Sequence, residues 1–175
     1  MEHEVETESG QSPAAAKAKV GGKLVLWPDP RLKEACEPVP FGRDCNDIIE
    51  AMLRVKEEHH GLGIAAPQIG EMLRIIIVED LIIVNPRIVK ASEQMRWVWE
   101  GCLSFPETCP KYAQDMSKLR DGDTVRVHRH KRIKVDGFDE SWGRICTKGS
   151  DWKGACIQHE IEHLDGITLA DHRRR

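Results

Sequence analysis

The chain has 175 residues, 40% of them hydrophobic and 31% charged, a size and balance that fit one globular domain whose core needs no disulfide. A net charge of −3 and a sequence pI near 6.2 exclude a global attraction to nucleic acid or anionic lipid, so any such contact would need a local patch. No stretch approaches the roughly 18 consecutive apolar residues of a membrane span, and the opening MEHEVETESG lacks the apolar core of a secretory signal.

Residues 1–22 begin acidic and predict a disordered tail ahead of a single domain over 23–175. A cytoplasmic location follows by default, and the six cysteines are then expected as thiols. After a short apolar entry, Pro28, Asp29 and Pro30 break regular structure, and Pro38 and Pro40 bound a loop ending at Asp44, a good N-cap. Ile48, Ile49, Met52, Leu53 and Val55 recur at helical spacing, which predicts a helix over 46–60 closed by a left-handed Gly61.

Branched apolar runs predict strands over 73–78 and 81–84, with Pro86 falling between two such runs. Alternation continues over 94–99 and 124–135. Asp136-Gly137 reads as a hairpin turn, with 142–147 as the return strand. The last element runs from an N-cap at Ser150 to about Leu164, with Gly166 just past it. Ala155, Cys156, Ile157, Ile161 and Leu164 make it apolar on more than one side, the mark of a buried helix. Together these elements predict an α+β fold of mostly antiparallel sheets around a central C-terminal helix. There is no internal repeat and no low-complexity region.

That helix carries H-E-x-x-H. His159 and His163 lie four residues apart on one face, so both imidazoles can reach one ion, and Glu160 stands where it can take a proton from an activated water. Two histidines and two glutamates in an otherwise apolar helix would be costly to bury without a shared partner such as a dication. A third ligand is needed. Only twelve residues follow His163, too few for a distant downstream glutamate, and Leu169 stands where a metzincin would have its third histidine. The third ligand therefore comes from upstream or from Asp171 or His172. Cys156 lies about 10 Å along the axis from His163, too far for a short side chain.

Glu100-Gly101-Cys102-Leu103-Ser104 offers a better cysteine, with a glycine that permits close approach and a Leu103 N–H free to point at a ligand. Cys102 also reads as an ordinary buried thiol, or as a nucleophile paired with a histidine. A third segment, Gly61-Leu62-Gly63-Ile64-Ala65-Ala66-Pro67-Gln68, combines small residues with one side-chain amide. On its own it reads more readily as a helix cap followed by a tight loop, and it fails the dinucleotide spacing at Ala66.

These three motifs in this order resemble the peptide deformylase family, which has a G-φ-G-φ-A-A-x-Q loop, an E-G-C-L-S segment and a Q-H-E-x-D-H-L-D-G-like helix. The resemblance spans about residues 23–170 and departs at Glu162, where most members have Asp, and in its early stop at His172-Arg173-Arg174-Arg175, which is similar to shortened phage-encoded members. It implies a deformylase-like catalytic domain in which Cys102, His159 and His163 hold one divalent ion. Ferrous iron is the native choice, and zinc, nickel or cobalt can replace it. Glu160 is implied as general base and acid, with Gln68 and the Leu103 N–H stabilising the oxyanion. Gly61, Leu62, Gly63, Glu100, Gly101, Trp152, Ala155 and Cys156 are implied as substrate contacts.

The implied substrate is the N-formyl-methionyl end of a nascent peptide, and the implied products are formate and a free amine. The enzyme is expected as a monomer with no DNA or membrane partner. The basic run Arg126, His128, Arg129, His130, Lys131, Arg132, Lys134 reads as a solvated hairpin, or more sharply as a ribosomal RNA contact. Two rival readings are an H-E-x-x-H metalloprotease of broader specificity and a non-enzymatic structural zinc protein. The latter needs a fourth protein ligand such as Cys109.

Overall fold

The computed structural model describes residues 22–108 and 124–173, so nearly all of the expected tail, together with Cys109, lies outside the described residues. Among the described residues there are three α-helices: α1 (Asn46–Glu58), α2 (Asp151–Leu164) and the short α3 (Leu169–His172). Seven strands accompany them: β1 (Gly63–Ala65), β2 (Ile75–Val78), β3 (Leu81–Ala91), β4 (Met95–Glu100), β5 (Val125–His130), β6 (Arg132–Phe138) and β7 (Arg144–Ser150). They form an antiparallel five-stranded sheet in the order β1-β2-β3-β6-β7 and a two-stranded sheet, β4-β5.

The apolar run of β2 is continuous because the strand is covered on both faces. Ile75 and Ile77 pack with Ile48, Ile49, Met52 and Val55 of α1. Ile76 and Val78 point the other way, into a second core with Ile157, Ile161 and Leu164 of α2. α2 thus sits as the expected central helix. It docks through paired glycines, since a Cβ on Gly154 would lie 2.8 Å from the Gly149 carbonyl carbon of β7.

Four local expectations need correction. The left-handed residue closing α1 is His60 (φ 54), not Gly61. The His60 N–H donates to the Glu57 carbonyl and the Gly61 N–H to the Lys56 carbonyl, the paired bonds of a Schellman cap. Pro86 does not separate two strands. It lies within β3 where the register slips between Val84 and Arg87, a bulge that needs no ladder donor from it.

The alternating stretch at 124–135 is two strands in different sheets, parted at Lys131. Asp136 and Gly137 form no turn but pair with Cys146 and Ile145 inside the β6-β7 ladder. A Cβ on Gly137 would collide with Ile83, so packing against β3 accounts for this glycine. The real turn is at Asp139, whose Oδ1 accepts from the N–H groups of Ser141 (2.9 Å) and Gly143 (2.7 Å).

The β4-β5 ribbon has an inner face of Arg96, Val98, Glu100, Val125, Val127 and Arg129 and an outer face that includes Trp97, Trp99, Arg126 and His128. Trp97 and Trp99 are about half exposed. Arg129 turns inward and is 2% exposed, so the basic run is not a uniformly solvated hairpin.

Candidate metal centre

β4 ends at Glu100, and the chain turns so that Cys102 faces α2. The turn is held by its own bonds. The Cys102 N–H donates to Thr108 Oγ1 at 3.0 Å, and the Phe105 N–H donates to the Cys102 carbonyl at 2.9 Å. Phe105 is wholly buried and stacks on Trp27, with ring centroids 5.4 Å apart. The thiol direction is therefore set by a packed loop.

On α2 the four-residue spacing places the His159 and His163 rings 4.9 Å apart. Cys102 Sγ lies 3.2 Å from His163 Nε2, and one donor atom from each of the three residues falls within 4.8 Å of the others. His159 Nδ1 is paired with Glu100 Oε2 at 3.0 Å, leaving Nε2 for the thiol side. His163 Nδ1 and Glu160 Oε2 are buried with no hydrogen-bond partner among the described residues. A buried thiol and two imidazoles crowded together, beside a buried carboxylate oxygen of Glu160 with no partner, are unfavourable alone and suit a borderline-soft divalent ion. The residues fit a transition metal. Asp171 and His172, the alternative third ligands, are engaged elsewhere, by Lys33 and Glu162 respectively.

Charge at the site is graded. Burial opposes ionisation of Glu100, but hydrogen bonds from Arg129 and His159 outweigh it and lower its pKa to about 2. Burial raises Glu160 to about 7, with the charge of His159 opposing and that of Glu100 adding. Burial also drives His163 well below the usual histidine range, aided by the charges of His159 and Arg129, which keeps the ring a neutral donor.

Gln68 is buried and fixed on both sides. Its Oε1 accepts from the Ala65 N–H at 2.9 Å, and its Nε2 donates to Ser104 Oγ at 3.1 Å and contacts Cys102 Sγ at 3.5 Å. The glycines of the same segment are there for close approach. A Cβ on Gly61 would lie 2.7 Å from Leu103 Cδ1, and one on Gly63 would lie 2.5 Å from Glu160 Oε1 and 2.8 Å from Cys156 Sγ. Ala155 is buried, Cys156 is half-buried beside Glu160, and Leu62, Gly101 and Trp152 are exposed at the rim. Glu100, expected among the substrate contacts, has both carboxylate oxygens committed to Arg129 (2.8 and 2.7 Å) and one shared with His159.

Reading by motif missed Arg129, Ser104, Thr108 and the clamp of Gln158, which bonds both the N–H and the carbonyl of His130 at 3.0 and 3.1 Å. A signal for Arg129 was present. It follows Val125 and Val127 at period two, which puts it on the buried face.

A sequence profile described as polypeptide deformylase matches residues 22–175. The chain is 34% identical over 157 residues to a peptide deformylase of Hydrogenovibrio crunogenus, covering 85% of this chain and 83% of that one. It is 33% identical to one from Acidothermus cellulolyticus, covering 83% and 75%. Among solved structures, a deformylase from a Vibrio parahaemolyticus bacteriophage, in complex with actinonin, superposes with a TM-score of 0.73 at 29% identity, covering 83% of this chain and 98% of that one. The Thermotoga maritima peptide deformylase gives a TM-score of 0.73 at 26% identity, covering 86% and 95%. By motif, fold and match, the chain belongs to the polypeptide deformylase family.

Proposed function

We propose that this chain removes the formyl group from formyl-methionine at the N-terminus of nascent polypeptides, releasing formate and a free amine. The observation that carries the reading is the convergence of Cys102, His159 and His163 beside a buried carboxylate, Glu160, with one oxygen unpartnered.

Cys102 Sγ and one nitrogen each from His159 and His163 would hold the ion, with Glu100 orienting His159. A divalent ion held there supplies Lewis acidity, lowering the pKa of a water and drawing charge from the formyl oxygen. Glu160 takes the water's proton at a carboxylate oxygen as the new C–O bond forms. It returns that proton to the amine nitrogen as the C–N bond breaks. Burial, which raises the Glu160 pKa, favours a carboxyl that can both take and return a proton. Gln68 Nε2 and the Leu103 N–H stabilise the charge that develops on the formyl oxygen. Leu62, Trp152, Ala155 and Cys156 form the methionine slot, and the Gly61 and Gly63 backbone and Gly101 line the peptide's path.

Ferrous iron is the native ion in this reading, with oxygen-sensitive activity as its signature. The domain over 23–175 works as a cytoplasmic monomer. Arg126, Lys131 and Arg132 are the exposed cations of the basic run that remain for a ribosomal RNA contact, one that weakens as salt rises.

The deciding experiment is anaerobic purification, metal analysis and measurement of formate release from a formyl-Met peptide. Glu160→Ala is expected to keep its metal and lose at least about a hundredfold in activity, while Cys102→Ala loses the ion. Actinonin, bound in the phage relative, is expected to inhibit. Cleavage of unformylated peptides with no formate release would overturn the assignment in favour of a protease.

A further inference from the structure

The buried carboxylate that orients His159 is the inner end of a longer chain of charges. Arg129 presents three nitrogens to two acids: Nε and one amino group grip Glu100 at 2.8 and 2.7 Å, and the other amino group meets Glu162 Oε1 at 2.6 Å. The second oxygen of Glu162 meets His172 Nε2 of α3 at 2.9 Å. The inner pair is almost without water, at 2% exposure for the Arg129 side chain and 9% for Glu100, and the outer pair is more open, at 25% for Glu162 and 17% for His172. A guanidinium almost without water cannot turn if both of its acids stay in place, so what fixes Glu162 also fixes the plane in which Glu100 meets His159.

α3 reaches the other side of the centre as well. Leu169, 1% exposed, packs in the same cluster as Cys102, Phe105, Val125 and Val127. One short C-terminal turn thus touches the supports of both the thiol and the imidazole.

We propose that Glu162 and His172 are positioning residues for the metal ligand His159, so that the turn carrying His172 tunes how firmly the centre holds its ion. The inference rests on the metal-centre reading above. Glu162 acts through Arg129 and Glu100, and His172 acts by keeping Glu162 turned toward Arg129. Because Glu162 meets Arg129 directly and His172 acts only through Glu162, loss of Glu162 has the larger effect.

The test uses the full chain loaded with cobalt(II), following its visible spectrum and the rate of metal loss to EDTA. Replacing an outer partner of a metal ligand costs about 10- to 100-fold in affinity. Being one step further out, Glu162→Gln is expected to speed release about tenfold and His172→Ala about threefold, each with a shifted spectrum. His172→Gln, which keeps a side-chain N–H donor, restores both. Lys33→Ala breaks the separate 2.7 Å ion pair to Asp171 of α3 without touching this path, and is expected to lower the melting temperature yet leave release and spectrum unchanged. Unchanged release in both Glu162→Gln and His172→Ala, or release in Lys33→Ala rising as much as in His172→Ala, overturns the inference. A wild-type chain that takes up no cobalt defeats the metal-centre reading itself, and this proposal with it.

Discussion

Glu100 carries its charge where water hardly reaches, and the pH dependence of stability follows from that. Its folded pKa of about 2 is below the ordinary 4.5, so the folded state favours the carboxylate. The stability it adds is complete above about pH 4.5, declines as pH falls, and is gone once pH passes about 2. An acid series of melting temperatures is expected to show this loss in wild type and a much flatter response in Glu100→Gln, which starts less stable at neutral pH. Parallel curves for the two proteins would refute this role. Gly63 makes a different single-residue prediction. An added methyl would meet Glu160 Oε1 at 2.5 Å, and in the proposed mechanism, where Glu160 moves the proton, a displacement of about 1 Å costs on the order of a hundredfold in rate. Gly63→Ala should therefore keep its metal content while formate release falls steeply, which metal analysis beside a rate assay will show.

Among the elements, α2 was legible because two sequence signals agree on it: an apolar composition that demands burial and an H-E-x-x-H spacing that demands one face. Its glycine was not. Gly154 looks like a weak point in a helix until the Gly149 backbone of β7 is seen beside it. Gly154→Ala, which improves helix propensity, is expected to destabilise instead, by about 1–3 kcal/mol for overpacking, as read from denaturant unfolding. A rise in stability would mean that the two backbones can part. Strand boundaries were harder to read for a related reason. Asp136-Gly137 has the composition of a turn, but whether a glycine bends the chain or makes room for Ile83 is decided by a neighbour more than fifty residues away in sequence. Arg129 shows the same limit. Its strand pattern points inward, yet only the pairing with Glu100 and Glu162 makes a buried guanidinium tolerable.

Taken as one object, the molecule joins a well-packed part to a thinner one. The five-stranded sheet has α1 on one face and α2 on the other, whereas among the described residues β4-β5 is a two-stranded ribbon, a form that is marginal when unsupported. The ribbon reaches α2 through the Gln158 clamp, through Arg129 and Glu162, and through the donor set at Cys102, His159 and His163. A bound ion would act there as a rivet between two parts whose residues are some sixty positions apart in sequence, stabilising the folded chain by mass action. Stripping the metal should then act unevenly: amide hydrogen exchange is expected to quicken along β4, β5 and the Cys102 turn, while β2 and α1 keep their protection. Equal loosening everywhere, or none, would show that the ribbon is held without the ion. With the predicted pattern, a chelator would unfasten one flap of the molecule and leave its body closed.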